Sequence, residues 1–115
     1  MDALFILHPN TEYAEFVCKT KICNSRWSYE AEEEIKTNKR LEILNKRIRE
    51  ISYITSHDFR AHAITIQKYD YDFFDFEKDI LPKFKEIIEW FFNEELNIII
   101  EDRRDRMKLH PDSDI

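Results

Sequence analysis

A chain of 115 residues without a single glycine is confined in how it can turn. Backbone with φ above zero must be taken by residues that carry a Cβ, and asparagine and aspartate tolerate it best. Asn10, Asn24, Asn38 and Asn93 are therefore the expected left-handed positions, with the aspartates behind them. The same absence removes the Gly-rich loops that cradle phosphates, so dinucleotide-binding and P-loop enzymes are excluded.

The length suits one domain, with a core that needs neither disulfide nor metal. Charged residues reach 37%, but 43% hydrophobic and 14% aromatic residues argue for a folded chain. The abundance of Ile, Lys, Asn, Asp, Phe and Tyr suits an AT-rich, even viral, genome. A net charge of −6 speaks against direct nucleic-acid binding and fits a basic protein partner or simple solubility. Cys18 and Cys23, five apart in an extended run, point to opposite faces. They read as unpaired, reduced thiols of a cytoplasmic protein. The apolar run 3–7 is too short for a signal peptide or a membrane span.

The chain is organised around residues 51–92, which read as two strands, an acidic-aromatic connection and an apolar helix. Before them come strand-like runs at 1–7 and 13–23, separated by a turn at His8-Pro9-Asn10-Thr11. A helix is expected over 28–50, with Ser28 as N-cap, glutamates in its first turns and Lys46, Arg47 and Arg49 in its last. Ile35, Leu41, Leu44, Ile48 and Ile51 form its apolar stripe. Strands follow at 51–54 and 61–69, with Thr55-Ser56-His57-Asp58 as the turn between them; His62, Ile64, Ile66 and Lys68 share one strand face.

From about Glu77 a last helix runs to Phe92, with Pro82 in its first turn. Leu81, Phe84, Ile87, Ile88, Phe91 and Phe92 face inward and Trp90 lies to one side. Residues 96–100 prolong that helix or make a strand, and β-branching tips them toward strand. Residues 1–101 thus form one α+β domain, a two-layer sandwich of a small antiparallel or mixed sheet under two main helices; 102–115 form a flexible charged tail.

This order of elements, with some local wording, resembles the N-terminal domain of the Nfu/NifU-like iron–sulfur scaffold proteins. His8-Pro9-Asn10-Thr11 and Phe16 stand where that family has its Asn-Pro-Asn signature. Ile48-Arg49-Glu50-Ile51 replaces the Gly-Val strand entry, with Glu50 at the glycine. Asp58-Phe59 and Ala63-Ile64-Thr65-Ile66 stand for the second strand, with extra residues between, and 71–76 with the helix from Asp79 complete the match. The resemblance spans 10–92 and implies an interaction module. Cluster binding in that family belongs to a separate CxxC domain, so no iron–sulfur cluster is implied.

Three functions follow as expectations. The first is a non-enzymatic protein-interaction or adaptor domain without cofactor. Its partner-binding residues would be Tyr69, Asp70, Tyr71, Asp72, Phe74 and Asp75 on the acidic-aromatic run, with Trp90 and Phe92 on the last helix. Self-association through Trp90, Phe92 and 98–100 belongs to this reading. The second is an acidic inhibitor of a nucleic-acid-binding protein, of the viral counter-defence type, with Glu30, Glu32, Glu33, Glu34, Asp70, Asp72 and Asp75 imitating phosphates. The third is a small metal-dependent enzyme around His57, Asp58 and His62. No HxH or HExxH motif supports it, and Cys18, Cys23, Ser52 and Ser56 lack the context of a nucleophile.

Overall fold

The computed structural model describes residues 1–69 and 75–104. Its strands are β1 (Asp2–Leu7), β2 (Tyr13–Cys18), β3 (Ile54–Arg60), β4 (Ala63–Lys68) and β5 (Asn97–Asp102). Its helices are α1 (Ser28–Thr37), α2 (Lys39–Arg49), α3 (Phe76–Asp79) and α4 (Leu81–Phe92). The strands form one mixed sheet in the order β3-β4-β2-β1-β5. Only the β1–β5 pair is parallel; the others are antiparallel. The α+β class read from the sequence is what the chain adopts.

The alternation of each strand decides which residues meet the helices. Ala3, Phe5 and Leu7 stand opposite Cys18, Phe16 and Ala14, and all six are buried. Ile64 and Ile66 continue that face on β4, and Phe59 on β3. Leu41, Leu44 and Ile48 of α2, Phe76 of α3 and Phe84 and Ile88 of α4 close over them as one apolar cluster. Phe5 lies at its centre, with ring centroids 4.8 Å from Phe76, 5.2 Å from Phe84 and 6.0 Å from Phe16. Edge-to-face pairs of this kind add about 0.5–1.5 kcal/mol each beyond the area they bury.

The expected helix over 28–50 is two helices. Asn38 is extended at φ −118°, ending α1 through its N–H on Glu34 O and opening α2 by accepting from Leu41 N at 3.2 Å. An asparagine that caps two helices offers the backbone a local partner that competes with continuous helix. Trp27, not Ser28, holds the capping position of α1. The four-residue run at 55–58, expected as a turn, lies inside β3: Ser56, His57 and Asp58 stand opposite Gln67, Ile66 and Thr65. The reversal falls instead at Ala61 and His62, between the two strands, and β3 starts only at Ile54. β2 ends at Cys18, short of the expected 23.

Among the described residues, positive φ falls on Tyr53 at 75° and Asn93 at 53°. Asn93 meets the expectation and closes α4 in the left-handed region. Asn10, Asn24 and Asn38 do not adopt it. The segment after Asn93 is a strand: Glu89 Oε2 accepts from Leu96 N at 2.7 Å, and Asn97 N donates to Met1 O at 2.8 Å as β5 begins. Asp102, assigned above to the tail, is its last residue.

Candidate functional site

All helices whose buried residues are described share one apolar cluster with one face of the sheet. Among the described residues no helix of this cluster packs on the opposite face. Its register builds two rows across the strands. Arg60, Ala63, Val17, Leu4 and Ile99 stand side by side, so four apolar residues run to the β5 edge. Ile99, at the end of that row, is 60% exposed. The adjacent row is Asp58, Thr65, Glu15, Ile6 and Glu101, acidic on both sides of its centre. Ile6 is only 6% exposed between those two glutamates. Glu15 lies 3.8 Å from His8 Nε2, and Glu101 accepts from Arg103 at 3.1 Å. An apolar row thus lies beside one that carries three carboxylates, Asp58, Glu15 and Glu101.

The two sheet edges differ. β3 carries a bulge between Ile54 and Ser56, charged Asp58 and Arg60, and packs against α1 and α2. These features deter edge pairing. β5 has no bulge and no proline, and no strand lies beyond it among the described residues.

The expected partner-binding residues are scattered in role. Asp70, Tyr71, Asp72 and Phe74 lie outside the described residues. Tyr69 is exposed and extends the pairing through its N–H to Tyr53 O. Asp75 is exposed and caps α3 by accepting from Glu77 N at 2.9 Å. Trp90 is engaged within the molecule: the guanidinium carbons of Arg40 and Arg47 lie 4.8 Å and 4.4 Å from its ring. Arg40 also donates to the carbonyls of Trp90 and Phe91, where the negative end of α4 favours a cation. Phe92 is half-buried against Phe91. Of the glutamates proposed as phosphate mimics, Glu34 accepts from Asn24 N and Ser25 Oγ, Glu33 pairs with Lys36, and Glu30 accepts from Arg26 N.

A cleft of about 300 Å³ opens between α1, α2 and β3, lined by Ile35, Asn45, Arg49, Ile54 and His57 among others. His57 Nε2 lies 2.6 Å from Asn45 Oδ1, and its ring meets Phe59 edge-on at 5.3 Å. Burial, with the Arg49 charge beside it, lowers its pKa to about 4 against the pull of Asp58. A neutral imidazole held by an amide and so weakly basic is a poor general base at neutral pH. His62 stands apart, exposed, with Nδ1 3.2 Å from Cys18 O. No group of three His, Cys, Asp or Glu able to hold a metal occurs among the described residues.

Cys18 and Cys23 are both buried in the single cluster and unpaired. Burial pushes the Cys18 thiol up to about 11 and raises that of Cys23. No helix among the described residues is long and apolar enough to cross a membrane. No family model, no curated protein and no solved structure matches this chain.

Proposed function

We propose that this chain is a protein-interaction module whose docking surface is the sheet face opposite the α1–α4 layer, which no helix covers among the described residues. The observation that carries the reading is the cross-strand row of Ala63, Val17, Leu4 and Ile99, which meets solvent at Ile99. Apolar surface concentrated on one face, beside polar residues, is what protein contacts use. Glu15, Asp58 and Glu101 favour a partner with basic side chains near its apolar ones. The surface differs from the residues favoured by sequence: Trp90 is occupied by Arg40 and Arg47, and 70–74 lie outside the described residues. The poor basicity of His57 counts against an enzyme that uses it as general base. The buried, unpaired thiols suit a reducing compartment.

The test is retention of a stoichiometric protein partner, a second copy included, by the immobilised chain through a salt series. The reading expects retention that survives high salt, is lost in Leu4→Lys and is kept in Trp27→Ser, a substitution at an exposed aromatic off this face. Retention of nothing, or equal retention by Leu4→Lys with an unchanged melting transition, contradicts it.

A further inference from the structure

We infer that the occupant of the β5 end of this surface is a second copy of the chain, added strand to strand. The inference rests on the docking reading above and names its partner. The first ground is the edge itself. Among the described residues β5 ends the sheet, with Ile98, Ile99 and Ile100 in sequence ahead of its charged Glu101 and Asp102 and without the bulge that β3 carries.

The second ground is which backbone groups face outward. Asn97 and Arg103 donate their N–H groups inward, to Met1 O and Leu7 O. In a parallel ladder alternate residues bond on the same side, so Ile99 and Glu101 also turn inward. Ile98 and Ile100 therefore present N–H and C=O to the outer edge.

The third ground is self-complementarity. A two-fold axis normal to the sheet keeps both helix-free faces on one side and pairs β5 antiparallel with its copy. Centring the axis on Ile99 sets Ile98 opposite the partner's Ile100, and the reverse, as two hydrogen-bonded pairs that use the outward groups. Ile99 then meets the partner's Ile99 as a closely spaced non-hydrogen-bonded pair on the open face. Asn97, an amide donor, falls opposite Glu101 of the copy, a carboxylate acceptor, at both ends. Moving the centre to Ile98 or Ile100 instead sets Ile99 against Asn97 or against Glu101. Only the Ile99 centre makes the apolar row run unbroken from one Ala63 to the other. A contact made through one edge strand on each side belongs to the weak class, so the dimer forms in concentrated solution and dissolves on dilution.

Cysteine substitution reads the register directly. Oxidation should link Ile99→Cys into a species of twice the 14.1 kDa chain mass. An equal mixture of Asn97→Cys and Glu101→Cys should cross-link between the two variants. Asn97→Cys alone should not, because its two copies stand about 13 Å apart, beyond disulfide reach. The native thiols are buried and stay out of the reaction. Ile99→Lys, which opposes two like charges at the axis, should sediment as a monomer at concentrations where the unaltered chain is dimeric. The inference is overturned if Ile99→Cys remains unlinked, if Asn97→Cys alone links as readily as the mixture, or if the unaltered chain stays monomeric when concentrated. Should that happen while a partner is still retained and lost in Leu4→Lys, the docking reading survives and only self-pairing falls. Loss of both results removes both.

Discussion

Phe5 and Leu4 are neighbours in β1, yet they live in different environments. Phe5 is fully buried, ringed by Phe16, Phe76 and Phe84, while Leu4 is half-buried on a face that no helix covers among the described residues. The helix-covered face supplies the cohesion of the fold. The open face carries apolar residues in a row, half-buried at Ala63, Val17 and Leu4 and exposed at Ile99, that no helix covers among the described residues. A sheet with one solvated face usually reads hydrophobic-in, polar-out. Here the row of Ala63, Val17, Leu4 and Ile99 departs from that pattern, and the proposed docking surface rests on that departure.

The sharpest way to break the contrast is to truncate both neighbours. Phe5→Ala should cost about 3–5 kcal/mol in chemical denaturation, a transfer loss plus a cavity. Leu4→Ala should cost about 1 kcal/mol in the monomer, as for an incompletely buried side chain. Equal costs would make the open face part of the structural core.

A second effect comes from His57, at the margin of the covered layer. Its folded pKa of about 4 lies below the ordinary 6.5, so between those values the unfolded chain takes up the proton first. Its contribution is fully present above about pH 6.5 and falls away as pH drops toward 4, by up to about 3 kcal/mol. His57→Gln should flatten that acid limb in melts at pH 7 and pH 4.5. An unchanged pH dependence in the variant would mean that the imidazole is not held neutral by its surroundings.

A third, smaller effect isolates the turn chemistry of a glycine-free chain. Asn93 closes α4 at φ 53°. Asn93→Ala should lose about 1 kcal/mol, the cost of a Cβ in the left-handed region, while Asn93→Gly should lose none. Thermal unfolding of the pair decides it, and equal melting points would show no backbone penalty there.

The legibility of the sequence divides along the same line. The α2 stripe of Leu41, Leu44 and Ile48 and the inward face of α4 at Phe84 and Ile88 were readable, because helical periodicity with strongly apolar residues leaves one solution. The break at Asn38 was not, because the apolar stripe continues across it from Ile35 to Leu41 and one side-chain acceptor decides the capping. Ser56-His57-Asp58 looked like a turn; its strand character comes from pairing with Thr65, Ile66 and Gln67, which local composition does not encode. The open-face row was hidden for a related reason. Leu4 and Ile99 become neighbours only when β5 adds parallel to β1 from the far end of the chain. The alternation of Glu15 and Val17 with Ala14, Phe16 and Cys18 was the local trace of it.

The smallest effect expected on the monomer is at Ile99. Because its side chain is 60% exposed, Ile99→Lys should change monomer stability by no more than about 0.5 kcal/mol while abolishing self-association. A large loss of stability would assign Ile99 to the core instead.

The central claim is that the sheet is unfinished at its open face and β5 edge, and amide hydrogen exchange along β5 tests it most directly. In concentrated solution the amides of Ile98, Ile99 and Ile100 should all be protected. On dilution Ile98 and Ile100 should lose protection and Ile99, bonded inward to β1, should keep it. Rapid exchange of Ile98 and Ile100 at every concentration, or protection that dilution leaves untouched, would contradict the account.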